Sequence, residues 1–528
     1  MKSILALVLL IGLSLLALRS FFLPGYYQTH DGAYHILRLH SFFKEAEFGQ
    51  WPVRWLGSLN YGYGYPAGNF IYPLPYYLGL PFLSLGFSLT TTLKLLFVTS
   101  FILSAVFMFL WLKSRWGNLP AFIGALLYSY APYRFIDIYV NGTLGVSVAF
   151  MVIALIAWRF SQLKYHSNSR NLALAALSLG LLPLAHNNSL IIFLPVIAWL
   201  FWDIRYLGWR YLISLGALAI GISAFFTLPM LPELKFTRLT DPTLTFPYYR
   251  HFPSLKQLLY SPWGYGYPQP GVAGGMSFQL GLAQWLVLGL ALIFRAPLVF
   301  IILALAYLFL MQPLSQPLWQ LLSPLRLVQF PWKFLAGEVF VISFLTGWLI
   351  HRLKAKSMTL ALIASLILAS LTVYANRNHL RWGTPTILTD EFFLTDSRER
   401  FPYADASGEL LPPWVKSQSY GSFNQAIELI DGIGELTPIT TTSTHLVYQA
   451  QIDSPATIKV NRLYFPGWQV QLDSQLIPVT TTDNGLFTAD LPAGTHQLLV
   501  ELNNTPIRNI GNIISLISLV ILLMLQFF

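Results

Sequence analysis

Apolar stretches about as long as a bilayer is thick recur along most of the chain, and they constrain its fold more than any other feature. A helix needs about 20 mostly apolar residues to cross the hydrocarbon core. The apolar runs predict about twelve such helices, at 3–21, 90–112, 118–132, 142–160, 171–185, 189–204, 211–229, 279–294, 297–311, 333–351, 358–375 and 508–527. A further apolar stretch, 73–87, contains three prolines and is predicted to be a re-entrant or interfacial segment.

The composition agrees with a membrane protein. Hydrophobic residues make up 55% of the chain and charged residues 10%, whereas a soluble domain has about 25% charged residues. These values exclude a soluble enzyme, a disordered protein and a nucleic-acid binder. The absence of cysteine excludes disulfides and thiolate metal sites.

The net charge of +10 is unevenly distributed and indicates topology, so we predict no nucleic-acid partner. Residues 376–506 carry 7 basic and 14 acidic side chains, and the rest of the chain carries 25 and 8. Lys and Arg are enriched in short cytoplasmic loops. With the N-terminus inside, the inner loops hold one acid, Asp203, and 11 basic residues: Lys113, Arg115, Arg159, Lys164, Arg170, Arg205, Arg210, Arg295, Arg352, Lys354 and Lys356. Both termini are then cytoplasmic.

The long segments between the predicted helices fall on the side of the membrane opposite the inner loops. One of them, 376–506, is large enough to be a domain. It alternates apolar and polar residues and contains turn sequences, as at Leu446–Ile452, Ala456–Leu463, Trp468–Leu472, Gln497–Leu502, Asp483–Gly485 and Pro492–Gly494. This pattern is typical of an antiparallel β-sandwich. The predicted organisation is a transmembrane domain at 1–375 with its first outer loop at 22–89, an extracytoplasmic mainly-β domain at 376–506, and a C-terminal transmembrane helix at 507–528.

Carboxylates are scarce in the membrane part, so each one is informative. Only eight occur there: Asp31, Glu45, Glu47, Asp137, Asp203, Glu233, Asp241 and Glu338. Asp31, His35 and Arg38 have the spacing of one helical face directly after the first apolar run. This face predicts either a general base with a phosphate clamp or a solvated interfacial helix held by local ion pairs.

Histidines near Asp31 do not have the spacing of a three-histidine metal site. His30, His35 and His40 are five residues apart, which places them about 140° apart on a helix. A divalent metal bound by Asp31 and one histidine stays open as an alternative.

Two outer segments combine glycine with aromatic residues. Tyr63 and Tyr65 lie in the first and Trp263 and Tyr265 in the second. Glycine permits close backbone approach, and aromatic rings stack on sugar faces or lie at the interface. The two segments predict either a sugar or aromatic pocket beside the acidic site or an ordinary aromatic belt.

Four further polar residues are candidates for the same site. Asp137 is predicted as a second acid or metal ligand, with a loop charge as the alternative. His186, at an outer helix end, is a pocket candidate or a histidine making local hydrogen bonds. Arg326 and Lys333 enter the tenth span and would bind a lipid phosphate or snorkel to the interface.

The pattern of a first span, an acid directly after it, a long outer loop, a many-helix core and a C-terminal outer domain resembles the GT-C glycosyltransferase superfamily. Within it, the chain is similar to the bacterial membrane proteins called 6-pyruvoyl-tetrahydropterin synthase-related, and more distantly to YfhO-type proteins. The segments that carry the resemblance are His30 to His35, Tyr63 to Pro66, Ser261 to Gly266, Gln329 to Lys333, Tyr464 to Trp468 and Pro492 to His496.

The resemblance implies transfer of a sugar from a polyprenyl-phosphate-linked donor to a glycan, lipid or protein acceptor. It implies a multi-pass protein of the bacterial inner (plasma) membrane, with the active site and C-terminal domain on the extracytoplasmic side. In the superfamily, the first-loop aspartate acts as catalytic base or helps to bind a metal, and this role carries over to Asp31. Many members have a second acid two residues later; Ala33 stands there in this chain, which leaves metal dependence open and suggests a metal-independent mechanism.

The implied reaction is an inverting transfer in which Asp31 deprotonates the acceptor, His35 belongs to the catalytic group, and Arg38, Arg326 and Lys333 hold the donor phosphate. Two other functions stay open: a transporter or flippase of lipid-linked glycans, and a non-catalytic cell-envelope assembly protein. Transporters usually show polar residues at midmembrane depth and internal repeats. Here the polar residues cluster outside the spans and no repeat is seen, which favours the enzyme.

Overall fold

The computed structural model describes residues 2–26, 28–240, 247–268, 275–382, 387–405, 408–417 and 423–526. Asp241, one of the eight carboxylates, lies outside the described residues. The first ten α-helices are α1 Ser3–Ala17, α2 Gly32–Glu47, α3 Leu74–Ser84, α4 Leu89–Trp116, α5 Asn118–Ser129, α6 Pro132–Ile136, α7 Leu144–Tyr165, α8 Ser169–Ala185, α9 Asn187–Asp203 and α10 Trp209–Glu233. The others are α11 Leu255–Leu259, α12 Leu282–Ile293, α13 Leu298–Leu310, α14 Gln316–Leu321, α15 Ser323–Arg326, α16 Leu335–Lys356, α17 Met358–Ala375, α18 Asp390–Leu394, α19 Asp396–Arg400 and α20 Pro506–Met524.

Every one of the twelve predicted apolar stretches is helical, but the helices differ in length. Six are long and apolar enough to cross a membrane, namely α4, α7, α10, α16, α17 and α20. A seventh would combine α13 with the segment Pro313–Leu321, which is bent from it by 93°. The remaining five are apolar helices of 10–17 residues. The polytopic helical membrane fold is therefore confirmed, with six or seven full-length spans where about twelve were expected.

The long helices divide into central and peripheral ones. In α16, 89% of the apolar window is buried, whereas the fractions for α17 and α20 are 22% and 28%. Apolar side chains that are exposed on a long helix face lipid. The helix α16 therefore forms the centre of the bundle, and α17 and α20 lie at its edge. The stretch 73–87 contains α3, a helix of 11 residues.

The C-terminal region contains two antiparallel sheets, as the alternating pattern predicts. Its strands are β1 Ile427–Asp431, β2 Gly434–Thr441, β3 His445–Ile452, β4 Ala456–Val460, β5 Trp468–Leu472, β6 Gln475–Ile477, β7 Thr480–Thr481, β8 Phe487–Leu491 and β9 Gly494–Leu502. The strand orders are β1-β4-β8-β7 and β2-β3-β9-β5-β6. Residues 387–405 contribute only short helices, so the domain boundary at 376 stays a prediction.

A buried carboxylate joins the first outer loop to the β domain. Glu45, on α2, is 1% exposed and accepts hydrogen bonds from Gly57 N and Gln50 Nε2, each at 3.0 Å. Its other contact is the hydroxyl of Ser443, which precedes β3. Burial raises the pKa of Glu45 to about 6, because the charged form loses hydration.

This carboxylate is expected to make the stability of the protein fall with rising pH. A carboxyl with a higher pKa in the folded state holds its proton more tightly when folded, so its contribution is complete below the unfolded value of 4.5 and is lost as the pH rises through about 6. The decrease in unfolding free energy between pH 5.0 and 7.5 is roughly 1 kcal/mol. Glu45→Gln should reduce the difference in Tm between these pH values, and Glu47→Gln, an exposed position on the same helix, should not. An unchanged pH dependence in Glu45→Gln would contradict the assignment.

Candidate active site

Asp31 lies at the N-terminus of α2, and its carboxylate points away from the helix. It occupies the N-cap position without a side-chain capping bond. One of its oxygens, Oδ2, accepts a hydrogen bond from Thr143 Oγ1 at 3.0 Å. Its backbone N–H donates to Asn141 O at 2.8 Å. The residue is half-buried, so the carboxylate is oriented by its neighbours and is still accessible.

The partner segment, 137–143, reaches Asp31 through a tight turn. Residues Asp137–Asn141 form one turn of π-helix that ends at Gly142 in the left-handed conformation, with φ +67°. A Cβ at Gly142 would lie 2.2 Å from Thr29 Oγ1. Glycine is therefore needed both for the backbone conformation and for the close approach, and this turn brings Asp137 and Thr143 to Asp31.

Asp137 and Lys333 complete a charged group with Asp31. The Lys333 amine interacts electrostatically with both carboxylates, and it lies in the turn Pro331–Phe334 that leads into α16. Asp137 is 1% exposed, and its Oδ1 has no hydrogen-bond partner among the described residues. Burial raises the pKa of Asp137 well above its ordinary value; Arg134 opposes the shift and the charge of Asp31 adds to it. The two acids therefore differ in burial, because Asp137 is almost fully enclosed whereas Asp31 is half-buried and more accessible.

His35 cannot take a proton from a substrate in this arrangement. Its Nε2 lies 3.2 Å from Leu144 N, which donates to it, and its Nδ1 lies 3.0 Å from Tyr76 OH. The backbone donor fixes Nε2 as the acceptor, so Nδ1 carries the hydrogen. Burial lowers the pKa of His35 well below its ordinary value, which keeps the ring neutral. The structure thus gives His35 a positioning role, in which it ties α2 to the start of α7.

Arg38 lies one turn further along α2 among tyrosines. Its guanidinium hydrogen-bonds Tyr76 and interacts with Tyr72, and its Cζ lies 5.9 Å from the centre of the Tyr34 ring. Its Nε has no hydrogen-bond partner among the described residues. Arg38 is therefore a cation at the site with an uncommitted donor.

A segment from the C-terminal region closes over this group. Tyr65 OH donates to Asp405 Oδ2 at 2.7 Å and accepts from Leu410 N at 2.8 Å. Between these anchors, Glu409 interacts with both Arg38 and Lys333. Burial raises the pKa of Glu409, and the nearby Asp405 raises it further. Asp405 and Glu409 could not be identified from the sequence, because they lie in the acid-rich region, where a carboxylate is not unusual.

The two aromatic segments have different positions. In the second, Tyr265 O lies 3.4 Å from His30 Nε2, and the ring of Tyr267 stacks on His30 at 4.4 Å. Trp263 stacks on His379 at 4.0 Å, and Tyr265 OH donates to Arg381 O. This segment therefore adjoins the residue before Asp31.

The first aromatic segment packs against the C-terminal region. Tyr63 is 5% exposed and its ring lies 4.7 Å from that of Phe423, and Tyr65 is fully buried on Asp405 and Tyr403. These contacts pack Tyr63 and Tyr65 against the C-terminal region, and their predicted place in a sugar or aromatic pocket stays a prediction.

His186 lies near the charged group, and Arg326 is engaged elsewhere. His186 Nδ1 lies 2.9 Å from Ser189 Oγ, and its ring meets Tyr72 edge-on at 5.0 Å. Burial and, to a lesser extent, the positive charge of Lys333 lower the pKa of His186 to about 3. His186 is therefore a neutral side chain close enough to Lys333 to interact with it electrostatically. Arg326 is exposed and donates to Trp319 O at 3.1 Å, at the end of α14. The structure thus brings Asp31, Asp137, Lys333 and Arg38 together without Arg326.

The sequence leaves open whether Asp31 and its neighbours bind a divalent metal. Within the described ranges, no three or more His, Cys, Asp or Glu side chains are placed to hold a metal ion together. The two acids instead share their surroundings with the ammonium of Lys333, so no step of the chemistry is assigned to a metal here.

Comparisons with known proteins give weak likenesses. No family model matches the chain. A protein of Lactococcus lactis subsp. cremoris (strain MG1363), described as uncharacterized, is 24% identical over 245 residues, which are 43% of this chain and 39% of that protein. The chain thus spans well under two thirds of the length of this relative.

A solved structure shows a limited likeness in three dimensions. ArnT from Cupriavidus metallidurans, crystallised with undecaprenyl phosphate, aligns with a TM-score of 0.44 and 15% identity over 75% of this chain and 69% of that chain. Similarity of this size carries no argument about activity, and the function has to be argued from the residues of the site.

Proposed function

We propose that the protein is a GT-C type glycosyltransferase that moves a sugar from a polyprenyl-phosphate-linked donor to an extracytoplasmic acceptor, with Asp31 as general base. The observation that carries the proposal is the convergence of Asp31, Asp137 and Lys333 at one place. These residues come from three separate parts of a chain that has few charges in its membrane region. Ionisable groups that converge within an apolar region usually mark function.

The transfer step uses these groups as follows. The Asp31 carboxylate accepts the proton of an acceptor hydroxyl while that oxygen forms a bond to the anomeric carbon of the donor. The bond from the anomeric carbon to the phosphate oxygen breaks, and its electron pair leaves on the polyprenyl phosphate. The ammonium of Lys333 and the guanidinium of Arg38 stabilise the negative charge on that phosphate. Thr143 holds Asp31 in place through its hydroxyl.

The donor phosphate is assigned to Lys333 and Arg38, and not to Arg326, because of where the three cations lie. Lys333 lies within electrostatic range of Asp31 and Arg38 follows Asp31 on α2, whereas the guanidinium of Arg326 is exposed and held by main-chain carbonyls. We place the active site and the β domain on the extracytoplasmic side, because the inner loops carry the basic excess.

Lys333→Met tests the donor class. Hydrogen bonds to charged groups are worth about 1.5–3 kcal/mol, so the variant should bind undecaprenyl phosphate about 10- to 100-fold more weakly than wild type. Native mass spectrometry of detergent-purified protein, titrated with undecaprenyl phosphate, gives the affinities. Arg326→Met is the matched control and should bind as wild type does. Equal loss in both variants, or no binding to wild type, would contradict the assigned phosphate site.

A further inference from the structure

A second polar cleft lies at the opposite end of α2, between the first outer loop and the β domain. Its volume is about 250 Å³, and its walls come from residues 48–54, from Thr444 and His445, from the end of β9 and from Arg508. The helix α2 has 16 residues, and at 1.5 Å per residue it separates this cleft from Asp31 by about 24 Å. The cleft is therefore distinct from the candidate active site.

The cleft presents one aromatic face and several polar side chains. Trp51 is 61% exposed although its ring stacks on Tyr77 at 5.7 Å, so its other face is open. The amide of Asn504 is exposed and makes no hydrogen bond with the described residues. His445 Nδ1 lies 3.7 Å from Glu501 Oε2, and the other Glu501 oxygen accepts from Asn503 Nδ2 at 2.7 Å.

The guanidinium groups of the cleft are largely held by protein partners, and Arg54 Nε, which has none among the described residues, is buried out of reach of the cleft; both features argue against an anionic ligand. Arg54 Nη2 donates to Phe225 O and to Asn512 Oδ1, both at 2.8 Å. Arg508 Nη2 pairs with Glu233 Oε2 at 2.8 Å. A phosphate would have to displace these buried partners. A neutral ligand with many hydroxyls would bind the Asn504 amide and share the Glu501 carboxylate, whose oxygens accept more than one hydrogen bond each, without displacing these partners.

We propose that this cleft binds a neutral sugar unit of the acceptor, so that the acceptor is a glycan chain and not a single sugar. An aromatic face with amide and carboxylate groups at its edge matches the apolar face and hydroxyl rim of a hexose. The inference rests on the proposed function, because a unit bound about 24 Å from Asp31 can belong to the reacting molecule only if that molecule is extended. The β domain then acts with the first outer loop as an acceptor-binding element.

The test is binding of defined sugars to the full-length protein in phosphatidylcholine nanodiscs. The probes are the methyl glycosides of glucose, galactose, mannose, rhamnose and N-acetylglucosamine, observed by saturation-transfer NMR. At least one should receive saturation from wild type, and the signal should fall at least fivefold in Trp51→Ala and in Asn504→Ala. Trp209→Ala removes a tryptophan that is 67% exposed at the start of α10 and should leave the signal unchanged. Asp31→Asn should also leave it unchanged, because the cleft does not contain Asp31.

Three results would overturn the inference. They are no signal from any of the five probes, a signal that persists in both cleft variants, and a signal that disappears when phosphatidylglycerol is included, which would assign the cleft to a lipid headgroup. A failure of the proposed sugar site can be distinguished from a failure of the proposed glycosyltransferase activity. Loss of sugar binding with intact transfer rejects only the cleft. Sugar binding by a protein that releases no polyprenyl phosphate rejects the glycosyltransferase, and with it the acceptor role of the cleft, but leaves the sugar site itself in place.

Discussion

Asp31→Asn is expected to lower the rate of sugar transfer roughly 10²- to 10⁴-fold, the usual contribution of a general base. Asparagine has the same shape and can still accept the hydrogen bond from Thr143 Oγ1, but it cannot take the proton of the acceptor. Donor binding should therefore stay within about twofold of wild type, because the phosphate contacts come from Lys333 and Arg38. The measurement is the initial rate of polyprenyl phosphate release from a polyprenyl-phosphate sugar, together with donor affinity on the same preparations.

Two further variants make this result specific. Asp490→Asn makes the same chemical change at an exposed position of β8 and should transfer at the wild-type rate. Asp137→Asn changes a buried acid whose pKa is raised by burial and which is not the proposed base, so its effect should be much smaller than that of Asp31→Asn. If Asp137→Asn abolishes transfer and Asp31→Asn does not, the base is Asp137 and the proposed assignment is wrong.

The membrane fold was largely predictable, because apolar runs in lipid must satisfy their backbone hydrogen bonds internally as helices. Each predicted run is helical, yet α5, at 12 residues, and α12, also at 12, are shorter than a span. Helix length depends on where neighbouring elements pack, and the 93° bend separates α13 from a segment that begins at Pro313. A local apolar pattern contains neither.

The strands illustrate the same limit. Alternation predicts Trp468–Leu472 with the bounds of β5, since one face of the strand is buried. It does not show that β3 and β4, which follow one another in the chain, belong to different sheets. That partition depends on pairings between strands far apart in sequence, such as β3 with β9.

In the candidate site, scarcity identified Asp31 and Asp137, because a charge is rare in an apolar region and needs a reason to be there. The positioning role of His35 could not be predicted, since it depends on a hydrogen bond from Leu144 N, 109 residues away. Glu409 was missed for the opposite reason. It is one of 14 acids in residues 376–506, and only the fold shows that it lies beside Arg38 and Lys333.

Breaking the buried ion pair between α10 and α20 is expected to have the largest effect on stability. Glu233 and Arg508 are 2% and 1% exposed. Arg508 donates to Glu233 Oε2 from Nη2 at 2.8 Å and from Nε at 3.1 Å, and Thr505 Oγ1 donates to Oε1 at 2.8 Å. Removing one partner of such a pair leaves an uncompensated buried charge, which costs about 3–5 kcal/mol. Arg508→Met and Glu233→Met should each be destabilised by this amount.

The double variant separates the ion pair from simple packing. In Glu233→Met with Arg508→Met neither charge remains, so the loss should be smaller than that of either single variant. The fraction of protein that stays monodisperse in detergent after heating, measured over a temperature series, ranks the four proteins. Additive losses in the double variant would show that the two side chains do not act as a pair.

The two single variants should also differ from each other. Arg54 interacts electrostatically with Glu233, which favours its charge, and with Arg508, which opposes it. Arg508→Met leaves Glu233 with a second cation nearby, whereas Glu233→Met leaves two buried guanidinium groups and no anion between them. Glu233→Met is therefore expected to be the less stable of the two. The reverse order would mean that Arg54 is compensated by its neutral acceptors alone, Phe225 O and Asn512 Oδ1.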